Sequence, residues 1–183
     1  MYSEFNPYPK SKQLAGHQKE KDRPKFKVQK PKKPKKILEV YKGRSVPDKK
    51  TRGKISKSDY ELAIELHGYE CWVCGISQGL ECHHVVPKGY SKARNGRGVV
   101  YNLRFLCTEH HRGKTGVHQN RELMQQLQDE HERLYGEHFY KDAWDLFKEN
   151  LIPTPTKECY GKFMEKEIEK CQKKQIGLNG KEA

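Results

Sequence analysis

Two short ligand pairs, Cys71-Trp72-Val73-Cys74 and Cys107-Thr108-Glu109-His110, constrain this 183-residue chain more than any other feature. Three thiols and one imidazole in two x-x pairs match the donors and spacing of a closed tetrahedral zinc site. One ion can bind both pairs only if the 33 positions from Cys74 to Cys107 fold as an excursion between them. The alternative, buried thiols beside an unrelated histidine, requires two coincident pairs. Hydrophobic residues make up only 33% of the chain and mean hydropathy is −1.08, so the core is expected to be small. A metal staple would then add stability that apolar burial alone does not supply.

The segment from Cys74 to Cys107 reads as a hairpin. Leu80 to Val86 has the composition of a short strand ended by Pro87 and Gly89, and Val99 to Leu106 supplies a second strand crossed by Asn102. A Gly-bearing basic loop over residues 88 to 98 joins them. Before the hairpin, Ser58-Asp59-Tyr60-Glu61 is a capping-box pattern that starts a helix carrying Leu62, Ile64 and Leu66 and stopping at Gly68. After it, Thr108 is a candidate cap for a brief helix limited by Gly113 and Gly116. Leu123, Met124, Leu127, His131 and Leu134 then fall at helical spacing between Arg121 and Tyr135. A further helix is expected over Phe139 to Asn150, ahead of Pro153-Thr154-Pro155. The domain reading is a Lys/Pro-rich disordered arm at 1–54, a folded domain at 55–152 and a peripheral helical tail at 153–183.

Charge is concentrated at one end. Residues 1–57 hold 19 of the 37 Lys/Arg but 5 of the 24 Asp/Glu, so the net +13 belongs to the first third of the chain. A cationic arm of this kind binds polyanions by releasing their counterions, and DNA is the expected partner. A solvated tail serving solubility is the other reading. Lys88, Lys92, Arg94, Arg97, Arg104, Arg112 and Lys114 put a second group of cations around the ligand pairs, where phosphate contacts would position DNA without reading bases.

His83-His84, Asn102 and His111 lie between and beside the zinc pairs, in an order and spacing that resemble the HNH endonuclease family in its zinc-bound, ββα-metal form. The resemblance covers roughly residues 68 to 118. It implies an α+β fold: a zinc-stapled ββα-metal (His-Me finger) core flanked by helices. It also implies a metal-dependent DNA endonuclease, a hydrolase of phosphodiester bonds, with His84 as general base and Asn102 in support. His83 and His111 would be ligands of a catalytic ion, and a phage or prophage origin is suggested.

The chemistry is consistent with those roles. Phosphodiester hydrolysis needs a deprotonated water, stabilisation of extra phosphoryl charge and help for the departing oxygen. An imidazole can take the proton, and an ion with open positions can hold the phosphate. Imidazole donors admit Mn²⁺, Ni²⁺ or Zn²⁺ as well as Mg²⁺. On a strand His83 and His84 face opposite sides, so both reach one ion only at an irregular strand end. His110 and His111 are about 100° apart around a helix, which leaves open which of them joins the thiols; the expected assignment is His110 to the structural zinc and His111 to the catalytic ion. His118 is an additional candidate, for the catalytic ion or a phosphate, beside the reading of an ordinary loop histidine. Cys82 shares a strand face with Leu80 and reads as a small buried residue.

No run approaches the roughly 18 apolar residues of a membrane helix. Thiols in metal-type spacing with no apolar signal segment argue for a reducing interior, the cytoplasm of a bacterial or phage-host cell. The rival functions are a zinc-finger DNA-binding protein without turnover and an accessory protein loading on a recombination or packaging complex. Target sequence, nicking against double-strand cleavage, and oligomeric state leave no trace in the residues.

Overall fold

The computed structural model describes residues 41–88 and 96–179. Most of the expected arm, together with Lys92 and Arg94, lies outside the described residues. The described residues form a mixed α+β fold whose sheet has two strands, β1 (Leu80–His84) and β2 (Leu103–Cys107). They pair antiparallel, with Leu80 opposite Cys107 and His84 opposite Leu103.

The ladder is shorter than the sequence suggests because Asn102 replaces it with side-chain bonds. Val100–Asn102 is a 3-10 turn rather than strand, and the Asn102 carbonyl still accepts from Val85 N–H at 2.9 Å. Its carboxamide then takes both backbone groups of Val86, accepting from N–H at 2.8 Å and donating to the carbonyl at 3.2 Å. A third bond runs from Nδ2 to the Arg97 carbonyl at 2.8 Å. One buried amide thus ties Val86 to Arg97.

Helices surround this hairpin. The helical turn α1 (Lys49–Arg52) is capped by Asp48, and α2 (Lys57–His67) by Ser56, which accepts from Asp59 N–H at 3.1 Å. The cap sits two residues before the expected Ser58. Gly68, at φ +75°, ends α2 as expected. Leu62 and Leu66 stay exposed; Tyr60, Ala63 and Ile64 instead pack on Leu103 and Phe105. Lys49–Arg52 belonged to the expected arm, yet the fold includes it.

After β2 come α3 (Thr108–Arg112), α4 (Arg121–Tyr135), α5 (Ala143–Lys148) and α6 (Lys157–Asn179). Thr108 does not cap α3; its hydroxyl donates to the Gly79 carbonyl at 3.3 Å. The α4 boundaries match the periodicity, with Asn120 accepting from the N–H groups of Glu122 and Leu123 and Gly136 at φ +83°. Helix α5 is shorter than expected, because Asp142 caps it by accepting from Asp145 N–H at 3.0 Å. Helix α6 is more than a peripheral tail: Met164 is fully buried in the main core with Val85, Val86, Leu106, Leu127 and Phe139. Among the described residues, no helix is long and apolar enough to cross a membrane.

Candidate metal centres

Cys71, Cys74, Cys107 and His110 converge, with all four ligand atoms within 4.8 Å of one another. Gly75, at φ +70°, lets the first pair turn back, and its N–H donates to the Cys71 carbonyl at 2.8 Å. The second pair arrives at the junction of β2 and α3, so the hairpin is stapled at its base. A tetrahedral ion with bonds of ~2.3 Å to sulfur and ~2.0 Å to nitrogen puts sulfurs about 3.8 Å apart and sulfur about 3.5 Å from nitrogen. Cys74 and Cys107 sulfurs lie 3.9 Å apart, and His110 Nδ1 lies 3.2 Å from Cys107 and 3.6 Å from Cys71. Burial opposes ionisation of Cys71, but the N–H groups of Cys107, Cys74 and Val73 outweigh it and bring the thiol down to about 6. The set fits a structural metal such as zinc.

A second convergence uses the residues between. His83 from β1, His111 from α3 and His118 from the following turn present ring nitrogens within 4.8 Å of one another. Their ring centroids form a nearly equilateral triangle with sides of 4.9, 4.9 and 5.0 Å. His111 Nε2 and His118 Nε2 lie 3.1 Å apart, and His83 Nε2 is buried without a hydrogen-bond partner. Nitrogens bound to one ion at ~2.1 Å stand about 3.0–3.4 Å apart, so the donor set fits a divalent ion. Burial, reinforced by His111 and His118, lowers the His83 pKa to about 3, and the same causes in kind lower that of His118. His83 therefore offers a lone pair rather than a charge at neutral pH.

The placement separates the two adjacent pairs of histidines. His110 lies with the thiols and His111 with the imidazoles, a division that the spacing left open. His83 alone of its pair enters the triangle, since strand alternation turns His84 to the other face. There His84 Nε2 lies 3.1 Å from the Gly53 carbonyl. A carbonyl can only accept, so Nε2 carries the hydrogen and Nδ1 is the lone-pair nitrogen. Burial and the Lys88 ammonium bring the His84 pKa down to about 4, against the opposing pull of that carbonyl.

Other expected site residues take different roles. Asn102 is fully buried, and its amide is spent on the backbone groups of Val86 and Arg97, which places the chain directly after His84. Arg97, expected on DNA, is 6% exposed and donates to Asp145 at 2.6 and 3.0 Å. Arg104 contacts His67 and Glu130. Lys88 and Lys114 are exposed, and Arg112 is largely exposed while pairing with Glu81 at 2.8 Å.

Glu81 was missed. Its carboxylate meets His111 Nδ1, which orients the ring so that Nε2 points at His118. The bond from His111, with Arg112 alongside, holds the Glu81 carboxyl below its ordinary range. Strand alternation was the available signal, since Glu81 lies two residues before His83. Arg52 and Gly53, assigned to the arm, also belong to the site's surroundings. No family model matches the chain, and neither a curated protein nor a solved structure matches it.

Proposed function

We propose that the protein is a metal-dependent DNA endonuclease of the HNH type, in which β1, β2 and α3 serve as the ββα-metal core. The observation that carries the reading is the pairing of an imidazole triangle with a neutral, oriented His84 on the next residue of the same strand. His83, His111 and His118 would hold the catalytic ion, and Cys71, Cys74, Cys107 and His110 the structural zinc. A divalent ion bound by three imidazoles supplies Lewis-acid stabilisation of phosphoryl charge and of the departing oxygen.

The protein's own groups do the rest. His84 Nδ1, free of a proton at neutral pH, takes one from the attacking water, while Nε2–H stays on Gly53. Glu81 fixes the ring of His111, the role carboxylates fill beside metal-binding imidazoles. Asn102 keeps the chain beyond His84 in register. Lys88 and Lys114 offer cations for substrate phosphates, and Lys30-Pro31-Lys32-Lys33-Pro34-Lys35-Lys36 offers general affinity for the polyanion.

The test is supercoiled-plasmid cleavage by full-length protein across Mg²⁺, Mn²⁺, Ni²⁺ and Zn²⁺, with His84→Ala beside it. The nuclease reading requires cleavage by the wild type and its loss in the variant, with DNA binding retained. DNA binding with no cleavage under any ion favours a zinc-stapled binding module, and cleavage unchanged in His84→Ala removes that residue from the chemistry.

A further inference from the structure

The carbonyl that orients His84 is held by an ion cluster of Arg52, Arg97, Asp142 and Asp145. Gly53 directly follows α1, and its N–H donates to the Lys49 carbonyl at 3.0 Å. Arg52, the last residue of α1, reaches α5. Its Nε donates to Asp142 Oδ2 at 2.6 Å, a second guanidinium nitrogen bonds Asp142 Oδ1, and that nitrogen also lies 2.6 Å from Asp145 Oδ1. Arg97 completes the cluster on Asp145.

Two guanidinium groups thus face two carboxylates, with side-chain exposures between 5% and 16%. Buried charges of this kind are held firmly only when each has its partner, and removing one leaves the others uncompensated. Backbone bonds extend the clamp. Gly98 N–H donates to the Arg52 carbonyl at 3.1 Å, and Arg97 N–H to the Tyr140 carbonyl at 3.0 Å. A methyl group on Gly98 would lie 2.3 Å from the Lys54 carbonyl oxygen, so the two chains touch with no room for a side chain. The segment carrying Gly53 is fixed from both sides.

We infer that Arg52, through Asp142 and Asp145, is a positioning residue for His84: the clamp keeps the Gly53 carbonyl on Nε2 and so keeps the lone pair on Nδ1. The inference rests on the nuclease reading for its effect on rate, but its structural half stands alone. Without the clamp, α1 is a four-residue turn with little to hold it, and an imidazole without its acceptor divides between two tautomers. The ring would then present the wrong nitrogen in a fraction of molecules.

The experiment uses full-length, zinc-loaded protein labelled with ¹⁵N-histidine, with His84 assigned by comparison with His84→Gln. The wild type should show His84 protonated at Nε2. Arg52→Gln should show mixed tautomers at His84, unchanged metal content, and a fall in kcat of about 30-fold at nearly constant KM, in the range of losses from ring-orienting partners. Arg52→Lys, which keeps the charge but not the fork, should recover part of both. Should Arg52→Gln fail to fold, Asp142→Asn leaves Asp145 on Arg52 and reads the same two quantities. A His84 that stays protonated at Nε2 in these variants overturns the inference, as does a loss confined to DNA affinity. A wild type that never cuts DNA refutes the nuclease reading, and the tautomer result still decides this one.

Discussion

Replacing Asn102 tests the central joint of the fold. Asn102→Ala removes three hydrogen bonds and strands Val86 N–H, the Val86 carbonyl and the Arg97 carbonyl in a site that is fully buried. A buried polar group left without a partner costs about 1–3 kcal/mol. Three such groups, partly relieved by water entering the space of the lost amide, amount to roughly 3–6 kcal/mol, comparable to the whole stability of many domains.

Asn102→Asp is the sharper variant because it keeps the shape. Its first oxygen still accepts from Val86 N–H, but the second faces two carbonyls at the 3.2 and 2.8 Å now spanned by Nδ2–H bonds. Repulsion there favours the protonated acid in the folded state, so the folded form binds the extra proton. The deficit relative to wild type must therefore grow as pH rises and shrink as pH falls. Urea unfolding between pH 6 and 8, with amide exchange at Val86 as a local reporter, measures both effects. A cost below about 1 kcal/mol for Asn102→Ala, or a deficit in Asn102→Asp that deepens as pH falls, would refute the reasoning.

Three further outcomes follow from the same structure. Glu81→Gln should weaken a divalent ion at the imidazole triangle by about 10–100-fold while leaving the thiolate set loaded, as read by competitive metal titration. Stripping metal with a strong chelator at neutral pH should loosen the hairpin base, seen as loss of amide protection at Trp72, whose N–H donates to the Phe105 carbonyl at 3.0 Å; protection that survives would contradict a structural role for the ion. His131 is fully buried, with burial and then Arg104 lowering its pKa to about 4 against the pull of the Tyr101 carbonyl. The unfolded chain then binds the extra proton below about pH 6.5, so His131 should remove about 3 kcal/mol of stability as pH falls from 6.5 to 4, a slope that His131→Phe should flatten in urea titrations.

The sequence was most legible where partners are close along the chain. The x-x pairs, the His83–His84 alternation and the α4 periodicity each rest on neighbours within a turn or a few strand residues, and spacing alone orders them. Glu81 was equally local, but an acid on a strand looks like any solvated residue until its imidazole partner is placed. Arg52 and Asp142 are 90 positions apart, and no periodicity links them. That distance explains why residues up to 54 read as arm: a Lys-rich stretch with one helical turn shows no apolar pattern, and charge pairing with α5 is what orders it. Asn102 read as part of a strand for a related reason, since a side chain that imitates backbone leaves the apolar pattern intact.

Helix α3 carries a residue of each candidate metal centre on consecutive positions, His110 in the thiolate set and His111 in the imidazole triangle, in a single five-residue turn. Were both centres to hold ions, their occupancies would be linked. Filling the thiolate set anchors that turn and lowers the entropy lost when the imidazoles are captured, and linkage makes the favour mutual. Scarcity of an ion at the thiolate set would then be felt as reduced affinity at the imidazole triangle, making one centre depend on the supply of the other.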